Sequence, residues 1–310
     1  MDGSASEKAK VVQEVREAAE NVGFLAVKGH GVPQATIDEV WSRTREFFDQ
    51  EEEVKLKGTE MSDSYPYGYI PFGGETLSAG RDAELGDDGE EAAAPSDLNE
   101  SFAIGPDRPV LEGAYQLPPL KWPSHGQSDE FKAAWLAYYG EMELLSARLL
   151  RCFALALELE ENWFDDKITN HRSAMRALNY PDLPEAFRPS PGQMRASAHT
   201  DYGSLTILLQ EEAPGGLQVR PVKAEDTSLG EEGWHPVPAR PGHFGENRRH
   251  CRALPCLALP CLALPCLALP CLALPCLSLS CRALRCPALL PKRAEQMLVA
   301  SLACSQYYVL

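Results

Sequence analysis

Residues 251–290 are eight consecutive pentads, and they exclude more folds than any other part of the 310-residue chain. They run Cys-Arg-Ala-Leu-Pro, four copies of Cys-Leu-Ala-Leu-Pro, then Cys-Leu-Ser-Leu-Ser, Cys-Arg-Ala-Leu-Arg and Cys-Pro-Ala-Leu-Leu. A period of five matches neither the α-helical turn of about 3.6 residues nor the two-residue pleat of a strand. Each Pro removes a helical hydrogen bond and clashes with the preceding turn, at roughly 3 kcal/mol. Pro also cannot donate to a ladder, which bars it from a central strand. The unit is shorter than the repeats that stack into solenoids.

Three readings of the repeat compete. Ala253 to Ser280 carries no charge, so it is long and uncharged enough for a membrane span. Recurrent Pro weighs against that. A cysteine-rich metal or disulfide segment is a second reading, but Cys-x4-Cys lacks zinc-ligand spacing. The third is a translated DNA repeat, from a frame error or a retained non-coding stretch. The abrupt junction between near-perfect low complexity and ordinary sequence favours the third. Residues 245–310 are therefore expected to stay out of a packed core, as a disordered or mistranslated repeat and tail.

The cysteines divide at the same place. Cys152 is alone in the first 250 residues, and the other nine lie from Cys251 to Cys304. The first four-fifths thus read as a reduced, intracellular protein, with a cytoplasmic location expected. Acidic residues outnumber basic ones by 45 to 29, for a net charge of −16. That balance argues against nucleic acid or an anionic membrane as partner. Met1 to Gln13 is polar and lacks the apolar core of a signal peptide.

Before the repeat, the chain reads as helices followed by strands. Val11 to Ala19 has helical spacing, Gly23 to Val27 reads as a short buried strand, and Gln34 to Lys55 returns to the helical period. Gly29 to Pro33 is a turn. Residues 58–130 are irregular, with an acidic stretch from Asp82 to Glu91. Phe131 to Leu159 predicts a long amphipathic helix with Trp135, Tyr138, Tyr139, Met142, Leu145, Leu149, Leu150 and Phe153 along its stripe. Ala174 to Tyr180, Leu205 to Gln210, Gly216 to Val219 and Trp234 to Val237 predict strands. Helices first and short strands after suit an antiparallel sandwich or barrel with helices on one side.

The triplet His199-Thr200-Asp201 stands just before a strand. If it continues a strand, alternation turns the imidazole and the carboxylate to one side. Two His and one carboxylate on one face are the donor set of non-haem Fe(II) oxygenases. Alone, His-x-Asp is common, and a turn residue followed by a cap explains it better.

Four blocks in order give the triplet a context. They are Glu20 to Pro33; Asp97-Leu98-Asn99-Glu100-Ser101-Phe102 after the Gly68-Tyr69 turn; Arg176 to Pro181; and His199 to Gln210 followed by Gly215 to Val219. Together they resemble the isopenicillin N synthase-like branch of the 2-oxoglutarate/Fe(II) dioxygenases, across roughly residues 11–244. The second block is similar to the family's D-L-K-E-S-F segment, the third to its strand ending N-Y-Y-P, and the last to its metal strand.

The resemblance implies a mainly β fold with flanking helices, a double-stranded β-helix (jelly roll) incomplete at the C-terminus. It implies a dioxygenase N-terminal region over 1–125 and a partial jelly-roll domain over 126–244. It makes His199 and Asp201 metal ligands, and Tyr180 a contact to the 2-oxoglutarate carboxylate or an ordinary strand tyrosine. The implied cofactors are Fe(II) and the co-substrate 2-oxoglutarate. The implied partners are a small-molecule substrate and O2, with no nucleic acid and no membrane. His30 is expected to pack at its turn, and His235 to be structural.

The chain also departs from the family. A second metal His and an Arg-x-Ser clamp are expected downstream, where the pentads stand instead. Arg240-Pro241-Gly242-His243-Phe244 still resembles the family's P-G-x-F strand, and similarity ends there. His243 and His250 are the substitutes left besides His235. The sequence thus supports a 2-oxoglutarate- and Fe(II)-dependent oxidoreductase, or alternatively a catalytically inactive remnant or mis-predicted gene product.

Overall fold

The computed structural model describes residues 3–60, 67–77, 95–108, 119–124, 126, 128–199, 201, 204–211, 216–220, 234–237, 243–244, 284–287 and 295–302. The acidic stretch, Thr200, His250 and the pentads up to residue 283 lie outside them.

Helix α1 spans Ala5–Asn21 and begins in a capping box. The Glu7 backbone N–H donates to Ser4 Oγ at 3.3 Å, and the Ser4 N–H donates to the Glu7 carboxylate at 2.7 Å. Two N–H groups with no helical partner are thereby satisfied. The strand expected at Gly23 to Val27 is only Val27–Lys28 (β1). The helix expected from Gln34 to Lys55 is two, α2 (Gln34–Phe48) and α3 (Glu52–Leu56). Glu51, at φ −60° and ψ 145°, is extended and breaks the run.

Strands β2 (Gly68–Ile70) and β3 (Glu100–Ile104) follow. The long helix is α4, Ser128–Ala156. It stops short of the expected Leu159 because Glu158 turns left-handed at φ 61°, and the Leu159 N–H closes on the Ala154 carbonyl at 2.8 Å. Next come β4 (Ala174–Tyr180), β5 (Met194–His199), β6 (Leu205–Gln210), β7 (Gln218–Val219), β8 (His235–Pro236) and β9 (His243–Phe244). The last two strands are β10 (Leu284–Pro287) and β11 (Glu295–Leu302). Helix outweighs strand among the described residues, which are less β-rich than the sequence suggests. The N-terminal region is helical, and β7 to β9 are only two residues each.

The strands form a five-stranded antiparallel sheet, β2-β3-β4-β11-β6, and a four-stranded one, β5-β10-β7-β8. β1 and β9 pair separately, Val27 with Phe244 and Lys28 with His243. The five-stranded sheet is covered on both faces. Met175, Ala177, Leu205, Ile207 and Leu209 pack with the helices, where Phe47, Phe102, Phe131 and Trp135 meet ring to ring at 4.9–5.2 Å. Leu178, Tyr180 and Leu208 face the other way and pack with Ala196 and Val219 of the four-stranded sheet and with Leu217 just before β7. Two buried faces explain why β4 and β6 read as near-continuous apolar runs rather than alternating ones.

Two segments beyond residue 244 are strands, which the low-complexity reading of 245–310 does not foresee. β11 runs between β4 and β6, with Glu295 opposite Tyr180 and Leu302 opposite Leu205. β10 lies between β5 and β7. Its first three residues carry no Pro, and Pro287 at its end is opposite Met194 of β5 but has no partner on β7, so Leu284 rather than Pro287 is paired on both sides. Among the described residues, no helix is long and apolar enough to cross a membrane.

Candidate metal centre

His199 is the last residue of β5, and Asp201 lies beyond the strand's end. Continued strand alternation therefore does not bring the two together. They converge nonetheless, with His199 Nε2 3.2 Å from Asp201 Oδ1. The register of β5 against β10 shifts next to the histidine. Leu284 pairs with His199 and Cys286 with Ala196, so three residues of β5 cover the span of two on β10. A second shift follows, with Pro287 opposite Met194, so the ladder beside His199 is irregular.

The other ring nitrogen is engaged. His199 Nδ1 lies 2.7 Å from the carbonyl of Ser197, to which Nδ1–H donates. With that proton in place, the neutral ring turns the lone pair of Nε2 toward the carboxylate oxygen of Asp201. Two acceptors then face each other, an arrangement that calls for a proton or a cation between them. Burial pushes the imidazole pKa down. The hydrogen bond to Asp201, the Asp201 charge, the Ser197 carbonyl and the charge of Asp97 outweigh it, so His199 sits above its ordinary value. A divalent cation taking the place of that proton is how imidazole–carboxylate sites load metal.

Ser197 is itself held from the opposite side. The Ser197 N–H donates to Asp97 Oδ1 at 2.8 Å, and its hydroxyl makes a short hydrogen bond to the same oxygen. The Leu98 N–H donates to the Met194 carbonyl at 2.9 Å, and Asn99 Nδ2 to the Arg195 carbonyl at 2.7 Å. The segment before β3 thus works as a side rail along β5. Asp97 is 1% exposed and also accepts the Leu77 N–H at 2.8 Å. Burial raises its carboxyl pKa against the pull of these donors.

Tyr180 is buried in the cluster between the sheets, with Ala196 of the histidine's own strand. Two residues along β4 from Leu178, on the same face, Arg176 forks onto Glu75. Nη1 donates to Oε1 at 2.8 Å, and Nη2 makes a short contact to Oε2 and reaches Ser101 Oγ at 2.8 Å. Other described histidines lie elsewhere. His30 Nδ1 accepts the Val32 N–H at 3.1 Å within its turn. His235 pairs with Val219 at the outer strand of its sheet, and His243 with Lys28. The D-L-N-E-S-F block drew attention to Asp97 only as part of a pattern. Its grip on Ser197 spans 100 residues of sequence, which no local signal reports.

His199 and Asp201 fit two corners of a metal centre, one imidazole nitrogen and one carboxylate oxygen at facing distance. Among the described residues, no group of three His, Cys, Asp or Glu could hold a metal ion.

Residues 1–125 match the family described as the N-terminal region of non-haem dioxygenases in morphine synthesis, and residues 172–252 match the 2OG-Fe(II) oxygenase superfamily. The 2-oxoglutarate-Fe(II) type oxidoreductase hxnY of Emericella nidulans is 33% identical over 223 residues, covering 70% of this chain and 59% of that protein. Clavatol oxidase claD of Penicillium crustosum is 30% identical over 246 residues, covering 74% and 66%. The chain thus spans about three-fifths to two-thirds of the length of these relatives. Among solved structures, a 2OG-Fe(II) oxygenase family protein from Caulobacter crescentus superposes with TM-score 0.67 at 23% identity, covering 96% of this chain and 83% of that one. The rice dioxygenase for auxin oxidation superposes with TM-score 0.57 at 18% identity, covering 97% and 80%. These likenesses show a shared fold.

Proposed function

The chain belongs to the 2OG-Fe(II) oxygenase superfamily, with its isopenicillin N synthase-like architecture, and from that premise we propose that it is a 2-oxoglutarate- and Fe(II)-dependent oxidoreductase of a small organic substrate. The observation that carries the reading is the facing pair, His199 Nε2 and Asp201 Oδ1 at 3.2 Å, with Nδ1 already committed to Ser197. His199 and Asp201 would hold the iron. Bound there, Fe(II) supplies the activation of O2 and the coupled oxidative decarboxylation of 2-oxoglutarate to succinate.

The protein's share is placement and dryness. The Ser197 carbonyl keeps the Nδ1 proton and leaves Nε2 as the donor to metal. Leu178, Leu208, Leu217 and Val219 make an apolar lining between the sheets, which keeps water from the reacting groups. Tyr180, on the same lining, is the reading's contact for 2-oxoglutarate. On this reading residues 1–125 form the N-terminal region, 126–244 a partial jelly roll incomplete at its C-terminal end, and 245–310 the repeat and tail. The protein would work in the cytoplasm, without nucleic acid or membrane.

The test is succinate release from 2-oxoglutarate with Fe(II), O2 and a broad panel of small organic substrates. Release above a His199→Ala control is expected. Turnover no greater than that control, for every substrate, would overturn the reading.

A second reading, an inactive remnant, is favoured by one observation. No third metal donor joins His199 and Asp201 among the described residues, and the pentads occupy the place of the family's second His. Sequencing the transcript across codons 240–300 separates the two. A His and an Arg-x-Ser in another frame would make the encoded enzyme complete, whereas the repeat read as it stands supports the remnant.

A further inference from the structure

The metal strand is braced by a residue that none of the site chemistry requires. Asp97 lies outside the His199–Asp201 pair, yet it is almost wholly buried. Such a carboxylate is costly to bury unless its lone pairs are used. Here they are used on two segments. Oδ2 takes the Leu77 N–H, and Oδ1 takes both the N–H and the hydroxyl of Ser197. Among the described residues no Lys or Arg forms an ion pair with Asp97, and its three contacts come from neutral donors. A carboxylate held against the strand that carries His199 favours a cation bound at Nε2 by simple Coulomb attraction.

Geometry adds to charge. One side of Ser197 is fixed by Asp97, and its carbonyl, on the following peptide, takes the Nδ1 proton of His199 at 2.7 Å. Ser197 therefore transmits position from the segment before β3 to the ring. The register shift at 196–199 makes this brace necessary. Such a shift leaves a residue without its ladder partner and frees the strand to twist. The side rail of Asp97, Leu98 and Asn99 restores the lost constraint from the other edge.

We propose that Asp97 is a positioning residue of the metal centre, which through Ser197 fixes the orientation of His199 and balances the charge of a divalent cation bound by His199 and Asp201. The proposal rests on the reading of that pair as metal ligands. Outer partners of this kind typically govern metal affinity by about 10- to 100-fold.

The experiment is a Co(II) titration of the full chain, followed by the visible absorption of the bound ion, well below the melting midpoint of every variant. Asp97→Asn keeps the shape and removes the charge, and a loss of about 10-fold or more in Co(II) affinity is expected. Ser197→Ala removes only the hydroxyl contact and keeps the backbone one, so a smaller loss is expected. It also provides the measurement if Asp97→Asn does not fold. Proton NMR of the Co(II)-loaded protein gives a second readout. The His199 Nδ1 proton, shifted by the paramagnetic ion, should exchange slowly with water in the wild type and faster in both variants. A purely structural Asp97 would lower the melting midpoint and leave both readouts of the folded protein unchanged. That result, with Co(II) binding by the wild type, overturns the inference alone. No Co(II) binding by the wild type overturns the metal reading, and the inference with it.

Discussion

Lys55 and Glu100 form an ion pair inside the protein, Nζ to Oε2 at 2.6 Å, with side chains only 7% and 5% exposed. It ties α3 to β3, and through β3 to the sheet that carries Tyr180. The remaining lone pairs of Glu100 are taken by the Tyr69 hydroxyl, in a short hydrogen bond, and by Asn179 Nδ2 at 2.7 Å. Lys55 also reaches the Phe48 carbonyl at 3.3 Å. A buried pair is stable only when its other hydrogen bonds are made, as they are here.

Glu100→Gln should therefore cost about 3–5 kcal/mol, because the Lys55 charge is left buried and uncompensated. Urea unfolding checks it: the midpoint should fall with the slope unchanged. A midpoint within error of wild type would refute the claim that the pair holds the N-terminal region to the sheet.

Trp135 Nε1–H donates to Thr44 Oγ1 at 3.1 Å, joining α4 to α2, and both residues are fully buried. Thr44→Val keeps the volume and orphans the indole N–H, at about 1–3 kcal/mol. Trp135→Phe in the Thr44→Val background should cost less than it does alone, since the orphan is removed along with the ring's N–H. Strict additivity in that double-mutant cycle would count against the bond.

Gly68 has φ +117°, and a Cβ there would meet the Thr59 carbonyl oxygen at 2.2 Å. That oxygen accepts the Tyr69 N–H at 2.9 Å. Gly68→Ala should destabilise by at least the 1–3 kcal/mol or so of a strained backbone, with the clash added. Thermal melts of the purified variant would show it, and an unchanged midpoint would contradict the geometry.

His199 gives a pH signature with a definite sign. Its folded pKa is raised, so in the metal-free protein its pair with Asp201 stabilises the fold below the unfolded value of about 6.5. That contribution disappears as pH rises through the folded pKa. His199→Gln should lack this part of the pH profile. Metal binding runs the other way: each ion displaces one proton, so apparent Co(II) affinity should weaken about tenfold per pH unit below the folded pKa. Affinity independent of pH across that window would show that His199 is not a ligand.

Much of this was legible in the chain. Ala174 to Tyr180 and Leu205 to Gln210 appear as strands with the bounds expected of them. Their apolar runs between turn residues are a strong local signal. The helix expected through Lys55 is cut at Glu51, because the Lys55–Glu100 pair sets where α3 must lie. That partner is 45 residues away, and helical periodicity carries no trace of it.

The sequence by itself determined the family blocks and the helix-then-strand order, and it singled out His199, Asp201 and Tyr180 as candidates, since these depend on residue type and near-neighbour spacing. Tertiary structure alone decided that the strand ends at His199, that its register against β10 shifts there, and that Asp97 grips Ser197 from 100 residues upstream. It also decided that Glu295–Leu302, beyond the pentads, lies between β4 and β6. Pairing partners in a sheet are chosen by which edge is free, and an edge exists only once the chain has folded.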